Sequence, residues 1–195
     1  MSAGVHVDVD YPLTIAQYPT AASVIDAFIL DQQKTFIASY APDYGLPSYA
    51  NDWTLKISYE SYEFSGFVRS VVFNMSFYTG GAHPNSGYKS FNFDVMNNQE
   101  LTLNDVFLNG NIPWDTISTL VQDDLKTQLG DIADVTSIEQ GTGTNPDNYK
   151  NWVVSSDGLT FFFDPYQVAA YAAGPQKVVI PFVALHTLLA PQFAS

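Results

Sequence analysis

Apolar and polar residues alternate along much of this chain, most persistently from Gly66 to Val95. Phe67, Val71, Phe73, Met75 and Phe77 share one parity with Arg69, while Ser70, Asn74 and Ser76 occupy the other. Phe91, Phe93 and Val95 repeat the pattern against Asn92 and Asp94. Period-two spacing is that of strands with one face turned to a core. Between the two arms, residues 79–87 (TGGAHPNSG) hold the glycines and proline that reverse a chain. The pattern predicts a long antiparallel hairpin at the centre of a sheet.

Other elements follow from the same spacing arguments. Val5, Val7 and Val9 alternate with His6, Asp8 and Asp10, which predicts a half-exposed first strand ending at Pro12. From Thr20 to Tyr40, Ile25, Phe28, Ile29, Phe36, Ile37 and Tyr40 recur at helical spacing, with Asp26, Asp31, Gln33 and Lys34 opposite. Thr20, after Pro19, is placed to cap that helix. Residues 41–52 read as a loop. Trp53, Leu55, Ile57 and Tyr59 form a further strand whose parity shifts at Tyr62 and Phe64, as a bulge near Glu60–Tyr62 would cause. A turn at Asn97–Asn98 follows. A second helix opens at Asn111 and Pro113 and closes at Gly130. Residues 131–151 read mostly as loop. Asp157–Gly158 sits between the apolar runs Trp152–Ser155 and Leu159–Phe163, a strong hairpin signal. Gln167–Ala173 reads as a helical turn and Val178–Ile180 as a buried strand. Pro181 starts a final helix over Phe182, Leu185, Leu188 and Leu189. The order of strand, helix, strands, helix, strands is α+β.

At 195 residues, with no composition shift, the expectation is one domain over residues 1–195. A 46% apolar content with fourteen Phe, twelve Tyr and three Trp argues against disorder and for a sheet-rich interior. Twenty acidic against seven basic residues give a net charge of -13, which repels nucleic acid and anionic membranes and attracts basic partners. With no cysteine, thiolate chemistry and disulfides are excluded. Neither a membrane-spanning run nor a signal peptide occurs in the chain as given, so no membrane insertion is expected. Few Lys and many Tyr, Asn, Ser and Thr give an exported character.

Candidate chemistry is sparse. A serine hydrolase needs a serine, a base and an acid, and no G-x-S-x-G turn is present. His186, beside Leu185, reads as a partly buried structural residue, and His6 as an exposed strand residue. His83, between Ala82 and Pro84, is placed to hydrogen-bond loop backbone and hold its turn. Asp123–Asp124 and Glu60/Glu63 read as solvated faces, as do Asp8 and Asp10. No metal or cofactor is expected, because no ligand set or phosphate loop has motif spacing. The candidate binding or structural turn is therefore Tyr78, Gly80, Gly81, His83, Pro84, Asn85 and Tyr88. Tyr44, Tyr49, Tyr62, Tyr88, Tyr149 and Tyr166 are candidates for exposed contact.

Two stretches, YTGGAHPNSGYKSFNFD (78–94) and NYKNWVVSSDGLTFFFDPYQVAAYAAGPQKVVIP (148–181), resemble the secreted mycobacterial immunogenic antigen family. They also resemble, more widely, the extracytoplasmic domain of the lysozyme-sensing anti-sigma factor RsiV. The resemblance implies an exported bacterial α+β domain, β-grasp-like, with an antiparallel sheet curved around a helix. It further implies work at the cell envelope by binding, and the cysteines usual in the antigen family are absent here. The expectation is a monomeric, non-enzymatic, secreted or extracytoplasmic domain whose acidic surface docks a basic protein such as a lysozyme-type muramidase. The alternative is a weak secreted esterase using Ser86 or Ser90 near His83.

Overall fold

The computed structural model describes residues 4–40 and 52–194. β1 (Val5–Val9) lies at one edge of a five-stranded sheet, with His6 and Asp8 exposed and the valines half-buried. Helix α1 (Pro19–Ser39) connects it to β2 (Trp53–Phe64), and the two strands pair in parallel, as a crossover allows. β3 (Val68–Tyr78), β4 (Asn85–Asp94) and β5 (Gln99–Glu100) follow as antiparallel neighbours. The order β1-β2-β3-β4-β5 puts β3 in the middle, so the expected hairpin is central. The predicted helix-on-sheet packing is also present. Ile25, Ile29 and Phe36 of α1 share a core with Leu55, Ile57, Val71, Phe73, Phe91 and Phe93. Each such side chain, fully buried, contributes about 1.5–3 kcal/mol.

The opposite face of this sheet is covered as well. β6 (Trp152–Ser155), β7 (Gly158–Phe163) and β8 (Gln176–Ile180) form a separate three-stranded antiparallel sheet. All residues of β6 and β7 are buried. Phe64 and Val68 join a second core with Trp152, Val154, Phe161 and Phe163 and with Ile117, Val121 and Leu125 of α3 (Trp114–Leu129). The product is an α+β domain whose larger sheet is mixed, through β1, and otherwise antiparallel.

Two covered faces explain the parity shift in β2. Register with β3 is continuous from Thr54↔Tyr78 to Phe64↔Val68, so the bulge expected near Glu60–Tyr62 is absent. Leu55 and Ile57 face α1, whereas Phe64 belongs to the second core and Tyr62 packs on Val72, Val153 and Phe162. The strand changes the face it buries, not its register.

Several local expectations are corrected by partners distant in sequence. Thr20 does not cap α1 through its side chain. Its N–H donates to Asn98 Oδ1 (3.1 Å) and its hydroxyl to the Asn98 carbonyl (2.7 Å), so the β4–β5 turn closes the helix from outside. Residues 131–151 are largely helical, with α4 (Val135–Gly141) after α2 (Leu103–Val106) and α3, and single 3-10 turns over Gly130–Ile132 and Pro146–Tyr149. The polar residues that suggested loop include the caps: Asp134 accepts from the Thr136 N–H and Asn145 from the Asp147 N–H. The final helix is only α5 (Phe182–Leu185), because the following backbone pairs elsewhere. Leu189 bridges Phe107, and the Ala190 N–H donates to the Val106 carbonyl. The helical turn expected at Gln167–Ala173 shrinks to a 3-10 turn over Tyr171–Ala173. The loop 41–52, with Tyr44 and Tyr49, lies outside the described residues except for Asp52.

A seam of side chains joins the sheets. β6 is an edge strand lying against β3 and β4, and its backbone needs partners. Asn92 Nδ2 donates to the Trp152 carbonyl (2.9 Å), the Trp152 N–H donates to Ser90 Oγ (2.8 Å), and the Val154 N–H donates to Ser70 Oγ and Asn92 Oδ1 (3.3 Å each). Ser70 also donates to Asn92 Oδ1 at 2.6 Å. Replacing Asn92 by Leu strands these buried groups. We expect Asn92→Leu to lower the unfolding free energy by about 2–4 kcal/mol and Ser70→Ala by about 1 kcal/mol, read by urea denaturation. A loss below about 0.5 kcal/mol for Asn92→Leu would show that the seam is not energetically needed.

Candidate functional site

The predicted turn residues lie at the far end of the β3–β4 hairpin. Gly80 (φ 90°) and Gly81 (φ 135°) adopt backbone conformations that side-chain-bearing residues avoid, which lets residues 79–84 fold back. The Tyr78 hydroxyl donates to the Gly81 carbonyl at 2.9 Å and ties the turn to its strand. His83 Nδ1 lies 2.9 Å from the Pro84 carbonyl, a contact that places the ring proton on Nδ1.

The turn rests on the segment after β7. The Tyr171 hydroxyl donates to the same Pro84 carbonyl at 3.0 Å, and its ring stacks on His83 at 4.1 Å and 24°. Tyr166 continues the series, 5.3 Å from Tyr171 at 31°. Tyr166 is 64% exposed and has φ 70°, a left-handed conformation that costs a bulky residue about 1 kcal/mol or more. Gln167 fixes the backbone beside it, donating to the carbonyls of Gly141 (3.0 Å) and Asn148 (2.9 Å). Gly141 permits this approach, since a Cβ there would stand 2.0 Å from the Gln167 carbonyl oxygen. The three rings form a short ladder fixed to the turn backbone.

Two carboxylates accompany a second pair of rings, Tyr62 and Tyr88. Asp164 Oδ1 accepts the Tyr88 N–H at 2.7 Å, and partial burial raises its pKa above the ordinary carboxylate value, with that hydrogen bond opposing the shift. Glu60 accepts from the Tyr62 hydroxyl at 2.7 Å. Burial first, then the carboxylates, raise the phenols of Tyr62 and Tyr88, which stay neutral donors. Both rings lean on Phe162. Aromatic faces edged by carboxylates are suited to a cationic or amphipathic contact.

Other candidates are not gathered here. Ser90 is buried, accepts the Trp152 N–H, and lies seven residues from His83, roughly 20 Å along an extended strand. Ser86 is half-buried on the same strand. His186 is exposed rather than partly buried, with Nδ1 2.9 Å from the Val183 carbonyl, and His6 faces Asp52 at 3.3 Å. Tyr149 is not a surface residue: it is 2% exposed, its hydroxyl donates to the Thr142 carbonyl, and burial pushes its pKa up to about 12. Glu63 pairs with Arg69 at 3.4 Å. No group of three or more potential metal-binding side chains converges among the described residues. Sequence reasoning missed Tyr171 and the placement of Asp164, both near the DPYQ segment that ends the buried run of β7.

Comparison with known proteins adds relatives. Residues 104–183 match the family described as "Protein of unknown function (DUF3298)". The chain is 33% identical over 123 residues to the immunogenic protein MPT64 of Mycobacterium tuberculosis, covering 63% of this chain and 53% of that protein. It is 33% identical over 121 residues to the esterase Rv3036c of the same species, covering 62% and 52%. It is 28% identical over 139 residues to the peptidoglycan-N-acetylmuramic acid deacetylase PdaC of Bacillus subtilis, covering 71% of this chain and 30% of that enzyme. The matched region spans about half the length of the first two relatives. A solved DUF3298 family protein of Pseudomonas aeruginosa shares the fold with TM-score 0.66 at 16% identity, covering 96% of this chain and 85% of that one. A Bacteroides fragilis member gives TM-score 0.59 at 18% identity, covering 94% and 71%. Residues 104–183 therefore match the DUF3298 model, and part of the chain is similar to the MPT64 immunogenic proteins.

The Asp164 environment makes a pH prediction. Its folded pKa lies above the unfolded value, so its contribution to stability is fully present below the ordinary carboxylate range and is lost as pH rises through the raised value. Asp164→Asn keeps an acceptor for the Tyr88 N–H without the buried charge. Urea unfolding should show the variant gaining on the wild type between pH 4 and pH 7. A difference that stays constant, or shrinks toward pH 7, would contradict this assignment.

Proposed function

We propose that this chain is an extracytoplasmic binding domain of the bacterial envelope that docks a basic protein, with a lysozyme-type muramidase as the concrete candidate. The observation that carries the reading is the acidic surface together with the ring ladder at the hairpin end. Twenty acidic residues face seven cations, and Lys56, Arg69 and Lys150 are already opposite Asp8, Glu63 and Asp147. Such a surface accelerates association with a cationic partner and makes it salt-sensitive. His83, Tyr171 and Tyr166 supply aromatic contact area at low entropic cost.

The relatives support a module over a self-sufficient enzyme. Homologous segments occur in proteins named as an immunogenic protein, an esterase and a peptidoglycan deacetylase, and in the last the match spans 30% of the protein. A segment common to such different names fits a shared binding role, and the deacetylase name points to the cell wall. The resemblance of residues 78–94 and 148–181 to a lysozyme-sensing domain suggests the candidate partner. No helix among the described residues is long and apolar enough to cross a membrane.

The esterase name also favours a second reading, hydrolysis by Ser86 with His83, since Ser90 is buried and holds the Trp152 N–H. Calorimetric titration with a c-type lysozyme at two salt concentrations, against an equally basic unrelated protein, tests the first reading. Saturable binding that exceeds the control and survives added salt is expected, and weakening of roughly tenfold in Tyr166→Ala. Equal, salt-abolished binding of both proteins would overturn it. His83→Ala separates the two readings: binding function predicts some loss of stability, and hydrolysis predicts loss of ester turnover with the fold intact.

A further inference from the structure

A second site lies at the other end of β4, about 30 Å of extended strand from the ring ladder. There an open cleft of about 420 Å³ lies between the β4–β5 turn and the C-terminal 3-10 turn. This size is within the range of small-ligand pockets and exceeds what a single ion fills. Phe67 and Leu101 form apolar wall, and the polar lining includes two carboxylates, Asp94 and Asp105, and two carboxamides, Gln99 and Gln192.

Charge in the cleft is uncompensated. No lysine, arginine or histidine lines it. Asp94 is 7% exposed and receives the N–H groups of Met96 and Asn97 (3.0 Å each) and Asn97 Nδ2 (2.7 Å). These donors are all neutral and give the Asp94 carboxylate no cationic partner. Asp105 receives the Thr102 N–H and hydroxyl on Oδ2 alone, which leaves Oδ1 without a hydrogen-bond partner among the described residues. The exposed carboxamides of Gln99 and Gln192 also have none among those residues.

A ligand complementary to this lining carries a positive charge and several hydroxyls on a compact, partly apolar frame. A bare divalent cation would need six or more oxygen ligands, and no group of three or more acidic, histidine or cysteine side chains converges among the described residues. We infer that the cleft binds an amino sugar with a free ammonium group, its charge met by Asp105 and Asp94 and its hydroxyls by Gln99 and Gln192. N-acetylation would remove the charge and leave the carboxylates unpaired. This inference is independent of protein docking at the hairpin end, because no residue is shared between the two sites.

The test is an amide NMR titration of the intact chain with the disaccharide of glucosamine, its di-N-acetyl counterpart, and free lysine as a cation without sugar hydroxyls. Expected are saturable shifts in residues 94–105 and 192–193, with the amine form bound about tenfold more tightly than the acetylated form. Gln192→Ala and Asp105→Asn should each weaken it severalfold. Because Asp105 also caps α2, Gln192→Ala, at an exposed side chain without hydrogen bonds, decides the matter should Asp105→Asn disturb the fold. Equal affinity for both disaccharides, lysine binding as tightly as the amino sugar, or shifts confined to residues 78–88 would each overturn the inference.

Discussion

The fold depends on how the edge of β6 is satisfied. An edge strand pressed against the face of another sheet brings backbone N–H and C=O groups into a dry interface, where each unpaired group costs more than its hydrogen bond would return. Ser70, Ser90 and Asn92 provide the partners. They can do so because Ser70 and Asn92 are directly opposite in the β3–β4 register, on the face away from α1. No buried side-chain nitrogen or oxygen among the described residues lacks a partner. The seam therefore permits one large sheet to carry a helix on one face and a second sheet on the other.

That arrangement also positions both ends of the hairpin. With β3 and β4 pinned along their length, the turn at residues 79–84 meets the segment after β7, where Pro84 takes the Tyr171 hydroxyl and His83 stacks on the same ring. At the opposite end, the β4–β5 turn caps α1 through Asn98 and forms one side of the acidic cleft. The turn glycines, the strained Tyr166 and the close approach at Gly141 belong to this framework. Strain in an exposed aromatic residue persists where neighbouring hydrogen bonds over-determine the backbone, as Gln167 does here.

Net charge gives the surface a general direction, whereas the rings give it a place. A charge of -13 favours cationic partners at any orientation and is screened by salt. The ladder of His83, Tyr171 and Tyr166 is local, and in the proposed docking it would add the orientation that charge lacks.

Much of the fold was legible along the chain. Period two in residues 67–77 and 91–95, helical spacing in 20–40, and Asp157–Gly158 each reflect physics that acts within a few residues, and the corresponding elements are present. What the tertiary structure decided involves partners far apart: Asn98 in place of a side-chain cap at Thr20, continuous register across Glu60–Tyr62, and Leu189 bridging Phe107 instead of extending a helix. The meeting of Tyr171 with Pro84, 87 residues apart, belongs to the same group. Alternation reveals which residues share a face, but not whether one face or both will be covered. That depends on where the second sheet docks, and only packing of the whole chain determines it.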